Sequence, residues 1–342
     1  MSLNPGFNLT EALNLVALSA IVEGGDAPPQ PVGWGMVFDS PVIGPFTEKW
    51  QLWKNESGAY AVVLRGTVVT AGSIVEDLIS FLAPAIGRLT VGHVQIDYKF
   101  AGLTDASVHF GFALGTLLLL KDPQNGILVQ LADKMPLGSA IFIAGHSQGA
   151  AMATLLRSYL AYGSDAPKDK NYTYKTYVFA QPKPGNDHYA ADFESAFCNT
   201  GLAFRITNSL DWVPQVPFTI EVVNDINTPN PLSALINPKL ATILAAVKPL
   251  FDAMRNQVIE HSQQRLQPKA ALLAQRVAPA TAGPAMTAGF DVTVLPSLNF
   301  VNAGTEVSLI GTPCVDAQCQ DGFFEHHATT YYNLMQAQLQ SA

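Results

Sequence analysis

Apolar positions along the chain fall into two patterns, short continuous runs of strand type and longer stretches at helical spacing, and the two alternate. Residues 9–22 are patterned as a helix with Thr10 as its candidate cap. Residues 24–45 are rich in Pro and Gly yet carry Trp34, Val37 and Phe38, which suits an ordered loop around short strands. A strand-type run over 59–64 is closed by Arg65-Gly66-Thr67. A helix is expected over 110–120, a strand over 140–144, a helix from Ala150 onward, and strands over 174–180 and 204–207. The last two end in the polar turns Gln181-Pro182-Lys183-Pro184-Gly185 and Asp211-Trp212-Val213-Pro214. This alternation predicts an α/β fold, a mostly parallel central sheet with helices on both faces, as a single domain over 1–342. In such sheets functional groups gather at the carboxyl ends of the strands.

Two segments interrupt the alternation. Residues 68–107 are punctuated by glycine and apolar in the middle, around Ile79, Phe81, Leu82 and Ile86, and read as a candidate lid. Residues 224–315 loosen into alanine-rich helical stretches, notably 232–254 and 270–277, and read as a helical insertion.

With 48% hydrophobic and 13% charged residues, the chain can bury a large core and still leave apolar surface. Its mean hydropathy is +0.19. No apolar stretch reaches the roughly 18 uninterrupted residues of a membrane span, so the surplus points to pockets and transient contact with lipid surfaces. A formal charge of −8 argues against nucleic acid as a partner, which calls for clustered Lys and Arg. No Lys or Arg precedes Lys49, so residues 9–22 lack the charged start of a secretory signal. Cys314 and Cys319 are spaced to close a small disulfide loop, which favours an exported setting, with Cys198 left over. Further ligands at zinc spacing are missing, and neither a metal nor an organic cofactor is expected.

The chemistry lies in Gly145-His146-Ser147-Gln148-Gly149, set between the expected strand and helix. This is the G-x-S-x-G turn, in which a sharp strand-to-helix bend lifts a serine hydroxyl clear of the sheet. A helix N-terminus behind the serine offers backbone N–H groups to a developing oxyanion. Serine needs a base, and histidine is the usual one. His146 sits beside the serine and cannot turn back onto it; His261 lies in a polar helical segment and suits a solvated face. His326 and His327, in the loop Phe323-Phe324-Glu325-His326-His327, are placed to reach over the turn. For the acid that orients the base, Asp211 ends a strand, whereas Asp187 and Asp225 read as turn residues.

With these residues in view, the chain resembles the fungal-type class 3 lipases of the α/β-hydrolase superfamily, in sequence order from about residue 9 to 339. Leu64-Arg65-Gly66-Thr67 resembles the family's oxyanion segment, Val108-His109-Phe110-Gly111-Phe112 its histidine-x-glycine-phenylalanine segment, and Gly145 to Gly149 its nucleophile turn. Phe179-Ala180-Gln181-Pro182-Lys183-Pro184-Gly185-Asn186 and Arg205-Ile206-Thr207-Asn208-Ser209-Leu210-Asp211-Trp212-Val213-Pro214 resemble its next two strand ends.

The resemblance implies Ser147 as nucleophile, Asp211 as orienting acid, and Thr67 with the backbone N–H of Gln148 as the oxyanion hole. His109 falls at a position that is structural in the family. Bacterial- and plant-type members place a tyrosine five residues after the catalytic histidine, which selects His326 with Tyr331; His327 stands in the same relation to Tyr332. The implied activity is hydrolysis of lipid carboxylic esters through an acyl-enzyme, with soluble short-chain or aryl esters, or phospholipids, as alternative substrates. A non-catalytic lipid-binding protein of the same fold is the rival from another class. The chain departs from compact members in the length of 68–107 and in the separation of 115 positions from Asp211 to His326.

Overall fold

The computed structural model describes residues 3–44, 47–66, 80–221, 225–227, 238–278, 290–314 and 322–339. In chain order its strands are β1 (Trp34–Asp39), β2 (Trp50–Asn55), β3 (Tyr60–Leu64), β4 (Leu82–Pro84), β5 (Ile86–Val91), β6 (Val94–Lys99), β7 (Ser107–His109), β8 (Ala140–His146), β9 (Thr173–Phe179), β10 (Ala203–Asn208), β11 (Phe290–Asp291) and β12 (Thr305–Leu309). The central sheet has seven strands in the order β1-β2-β3-β8-β9-β10-β12. β1 and β2 are antiparallel; from β3 to β12 every neighbour is parallel. Every residue of β3 and β8 is buried, as expected of parallel strands covered on both faces.

Register positions the chemistry. Leu64 pairs with Gly145, His146 with Phe179, and Phe179 with Ile206, so β3, β8, β9 and β10 end together on one edge. The helices Leu9–Glu23 and Ala328–Leu339 pack on one face through Leu15, Val16, Tyr331 and Met335. On the other face lie Phe110–Lys121 and Gln148–Tyr162. Residues 110 to 120 are buried all round, so this helix is interior rather than amphipathic. The cap of the first helix is Asn8, whose side chain accepts from the Glu11 N–H at 3.0 Å, and not Thr10, which lies within the first turn. Among the described residues no helix is long and apolar enough to cross a membrane.

Of the segment 68–107 expected as a lid, residues 68–79 lie outside the described residues, as does Thr67. The remainder is largely strand: β4 pairs with β7, and the β5–β6 hairpin with β11. Phe81 is 0% exposed and stacks on Phe110 at 5.1 Å between ring centroids. Leu82 is buried as well, so both side chains pack inward in this structure.

The expected helical insertion over 224–315 ends sooner than its boundary. Its helix is Pro238–Val277, and the chain then returns through β11 to β12, the parallel neighbour of β10. β12 escaped the sequence pattern because it is an edge strand that exposes Thr305, Glu306 and Ser308 and buries only Leu309. The long helix is fastened to the core by its C-terminal half. Leu266, Ala270, Leu273 and Ala274 join the main apolar cluster, Arg276 pairs with Asp122, and Lys269 Nζ lies 2.7 Å from Glu48 Oε1 with both side chains buried. Removing one partner of such a pair leaves an uncompensated buried charge. Lys269→Met is therefore expected to lower the unfolding free energy in urea by about 3 kcal/mol, with Glu48→Gln on the same background recovering part of the loss. An unchanged denaturation midpoint in the single variant contradicts this anchoring.

Candidate active site

Ser147 follows the last residue of β8 and caps the helix Gln148–Tyr162, with φ 57° and ψ −131°. A positive φ at a residue other than glycine costs on the order of 1–3 kcal/mol, and persists only where the surroundings dictate it. Here they do. A Cβ on Gly145 would lie 2.3 Å from the Gly149 carbonyl oxygen, and one on Gly149 equally close to that of Leu64. Only glycine at both sites lets the helix start against β8 and the end of β3. The Ser147 N–H donates to the Phe179 carbonyl at 3.0 Å, tying the turn to β9.

His326 comes from the opposite end of the chain, in the short 3₁₀ turn Phe324–His326 that leads into Ala328–Leu339. Its Nε2 lies 2.8 Å from Ser147 Oγ and its Nδ1 2.9 Å from Asp211 Oδ2. Asp211 sits just beyond β10, where its Oδ1 accepts from the Val213 N–H at 2.9 Å. The Tyr331 hydroxyl donates to Asp211 Oδ2 at 2.8 Å and accepts from the Asn208 N–H at 3.1 Å. Ser147, Asp211 and His326 are all buried.

The electrostatics follow from this packing. Burial holds the His326 imidazole below its ordinary pKa, with the Asp211 charge and hydrogen bond pulling the other way. Burial, with the Asp211 charge adding to it, pushes the Tyr331 phenol well above its usual value, so Tyr331 stays a neutral donor. The Asp211 carboxylate accepts from His326 Nδ1–H, which leaves the Nε2 lone pair facing the Ser147 hydroxyl.

Three of the residues singled out from sequence are thus brought together: Ser147, Asp211 and His326. Gln148 opens the helix directly behind the serine. His327 is exposed and its ring packs near Phe324, and His261 is exposed on the long helix. His109 is buried as the cap of Phe110–Lys121, accepting from the Phe112 N–H at 3.2 Å and stacking on the Phe112 ring. Asp187 starts the helix Asp187–Phe193 and pairs with His188. His146 bonds to Glu23 and to the His326 carbonyl rather than to the serine. Cys314 is disulfide-bonded, Cys198 is a free thiol, and Cys319 lies outside the described residues.

Sequence reasoning passed over the groups that hold the base in place. Asn208 Nδ2 donates to the carbonyl oxygen and to the carboxylate of Glu325, at 2.9 and 2.8 Å, pinning the residue before His326 to the end of β10. Its signal was a polar side chain at the inner end of a buried strand. In the sequence Tyr331 marks only a spacing, yet its hydroxyl is a direct donor to the acid.

Residues 61–221 match the model of the lipase (class 3) family. The chain is 26% identical over 185 residues to the secreted mono- and diacylglycerol lipase LIP4 of Malassezia restricta, covering 54% of this chain and 56% of that protein. It therefore spans about half the length of the curated relatives it matches. Among solved structures it is similar to M37 lipase, at 21% identity and TM-score 0.45, over 61% of this chain and 68% of that one. It is also similar to a Rhizomucor miehei lipase–propeptide complex, at 17% identity and TM-score 0.44, over 63% and 66%.

Tyr331→Phe removes a donor to Asp211 and leaves the buried Asn208 N–H without that acceptor. The expected loss of stability is about 1–3 kcal/mol in urea unfolding. Unchanged stability would mean that this hydroxyl does not carry the contacts described.

Proposed function

We propose that the chain, whose residues 61–221 match the class 3 lipase family, is a serine hydrolase that cleaves carboxylic esters of lipids through an acyl-enzyme. The observation that carries this reading is the continuous hydrogen-bonded line from Ser147 Oγ through His326 to Asp211, at 2.8 and 2.9 Å.

Ser147 Oγ attacks the ester carbonyl carbon while its proton passes to His326 Nε2. Asp211 holds the imidazole in the tautomer that can accept that proton and stabilises the imidazolium that results. Collapse of the tetrahedral intermediate breaks the bond to the alcohol, which takes the proton from Nε2 as it leaves. Water then repeats the sequence on the acyl-enzyme: His326 takes its proton, the hydroxide adds to the acyl carbon, and the returning proton frees Ser147. The negative charge that develops on the carbonyl oxygen is met by the backbone N–H of Gln148 and by Thr67. The assignment of Thr67 draws on its place in Leu64-Arg65-Gly66-Thr67, since the residue lies outside those described.

The curated relative is named a mono- and diacylglycerol lipase, which makes partial glycerides the first substrates to try. It is also named secreted, and the disulfide at Cys314 suits the same oxidising setting. Transient contact with a lipid surface is supported by exposed apolar side chains, among them Phe218 at 79% and Leu250 at 63% exposure.

Ser147→Ala is expected to cost on the order of 10⁶ in turnover, and Asp211→Asn about 10⁴, with both proteins folded by circular dichroism. Retention of more than roughly 1% of native turnover by Ser147→Ala overturns the nucleophile assignment. A base works only when neutral, so kcat/KM falls as pH drops through the pKa of His326. Because burial lowers that pKa, the acid limb is expected below the ordinary histidine value of 6.5. Rates on p-nitrophenyl esters from acetate to palmitate, measured across pH, check this together with chain length; an acid limb above 6.5 contradicts the burial argument.

A further inference from the structure

Glu23 is the last residue of the helix Leu9–Glu23, where the helix dipole disfavours a carboxylate, and the last turn carries no basic residue to offset it. Its partner is distant in sequence. Glu23 Oε1 lies 2.9 Å from Nδ1 of His146, and on the other side of that ring Nε2 lies 2.6 Å from the backbone carbonyl oxygen of His326. A carbonyl oxygen only accepts, so Nε2 carries a hydrogen; with a carboxylate facing Nδ1, the second nitrogen donates too. The ring is then an imidazolium, buried, with its centroid 4.7 Å from that of the His326 ring. Both ring nitrogens are committed to these partners, so His146 takes no part in the proton transfer assigned to His326.

We infer that a half-buried Glu23 and a buried His146 form a charged strut that positions the base His326 through its backbone carbonyl. This inference rests on the serine hydrolase reading of the same site. The strut also fixes how three segments meet. A Cβ on Gly66, two residues beyond β3, would lie 2.8 Å from the His146 carbonyl oxygen, 3.0 Å from Glu23 Oε1 and 3.2 Å from the Ser147 Cβ. The carboxylate of Glu23 is therefore packed against the residue preceding Thr67 as well as against the elbow. One ion pair joins the first helix, the nucleophile turn, the approach to the oxyanion segment and the loop that carries the base.

The groups facing His146 are Glu23 from the first helix, Asp211 from the end of β10, and His326 and Tyr331 from the C-terminal segment, the Tyr331 ring meeting it edge-on at 5.9 Å. Burial opposes a charge on His146, but the Glu23 carboxylate, the Asp211 charge and the His326 carbonyl together outweigh it and raise its pKa. The effect is reciprocal, since a cation at His146 resists a second positive charge on His326.

Ring ¹⁵N–¹H spectra of the full chain test the charge directly, with turnover counted per site titrated by a fluorophosphonate so that misfolded protein is excluded. Two ring N–H signals from His146 are expected at neutral pH in the native protein and in Ser147→Ala, and one of them should be lost in Glu23→Gln. Glu23→Gln should lower kcat per titrated site by roughly 10- to 100-fold with KM little changed, because a displaced base affects the chemical step. His146→Gln should move the acid limb of kcat/KM to higher pH, because it removes a cation beside His326 and leaves the Glu23 charge. The double variant should lose no more than His146→Gln alone, since the two residues act as one unit. If His146→Gln fails to fold, Glu23→Gln carries the test, its side chain being 24% exposed. A single ring N–H on native His146, or native kcat per titrated site in Glu23→Gln, overturns the strut. Activity retained by Ser147→Ala would instead overturn the serine hydrolase reading while leaving the spectroscopic result standing.

Discussion

The carboxylate of Asp211 is the point on which the rest of the site depends, because it is a buried anion whose donors come from separate parts of the chain. The Val213 N–H reaches it from the turn after β10, His326 Nδ1 from the loop before the C-terminal helix, and the Tyr331 hydroxyl from within that helix. A buried carboxylate is stable only when such donors surround it. Each donor is thereby held in turn, and the imidazole is left with its free lone pair toward Ser147. The separation of 115 positions from Asp211 to His326 imposes no geometric penalty, because β12 returns the chain beside β10 before the C-terminal helix begins.

Strain at Ser147 and order around it are two sides of one arrangement. The residue keeps an unfavourable φ because β8, β9 and the helix behind it are locked by register and by the glycine contacts at 145 and 149. Polar anchors extend the same logic outward. Asn208 pins Glu325, Glu23 and His146 hold the carbonyl of His326, and the Lys269–Glu48 pair fastens the long helix to the core near β2. The proposed base is thus constrained on its backbone and on both ring nitrogens, which is the preorganisation that acyl transfer requires.

Much of this is legible in the amino-acid sequence alone. The elbow, the strand ends at Gln181 and Asp211, and the loop at His326 each carry a local signature, and a parallel sheet forces such strand ends onto one edge. What was not legible depends on non-local packing. β5 and β6 carry charged residues among apolar ones because their sheet is half exposed, so their strand character is hidden in the pattern, and the burial of Phe81 and Leu82 is set by partners distant in sequence. β12 has too few apolar residues to register as a strand, although it extends the central sheet. The roles of Asn208 and Glu23 are invisible locally, since each is defined by a partner more than a hundred positions away.

The central claim is that Ser147 is activated by the buried pair His326–Asp211. Its most direct measurement is covalent: exposure of the native protein to a fluorophosphonate, followed by intact-mass and peptide mass spectrometry. The account predicts a single phosphonyl adduct located on Ser147, formed quickly in the native protein, much more slowly in Asp211→Asn, and not at all in Ser147→Ala. An adduct on another residue, or native labelling rates in Asp211→Asn, would contradict it.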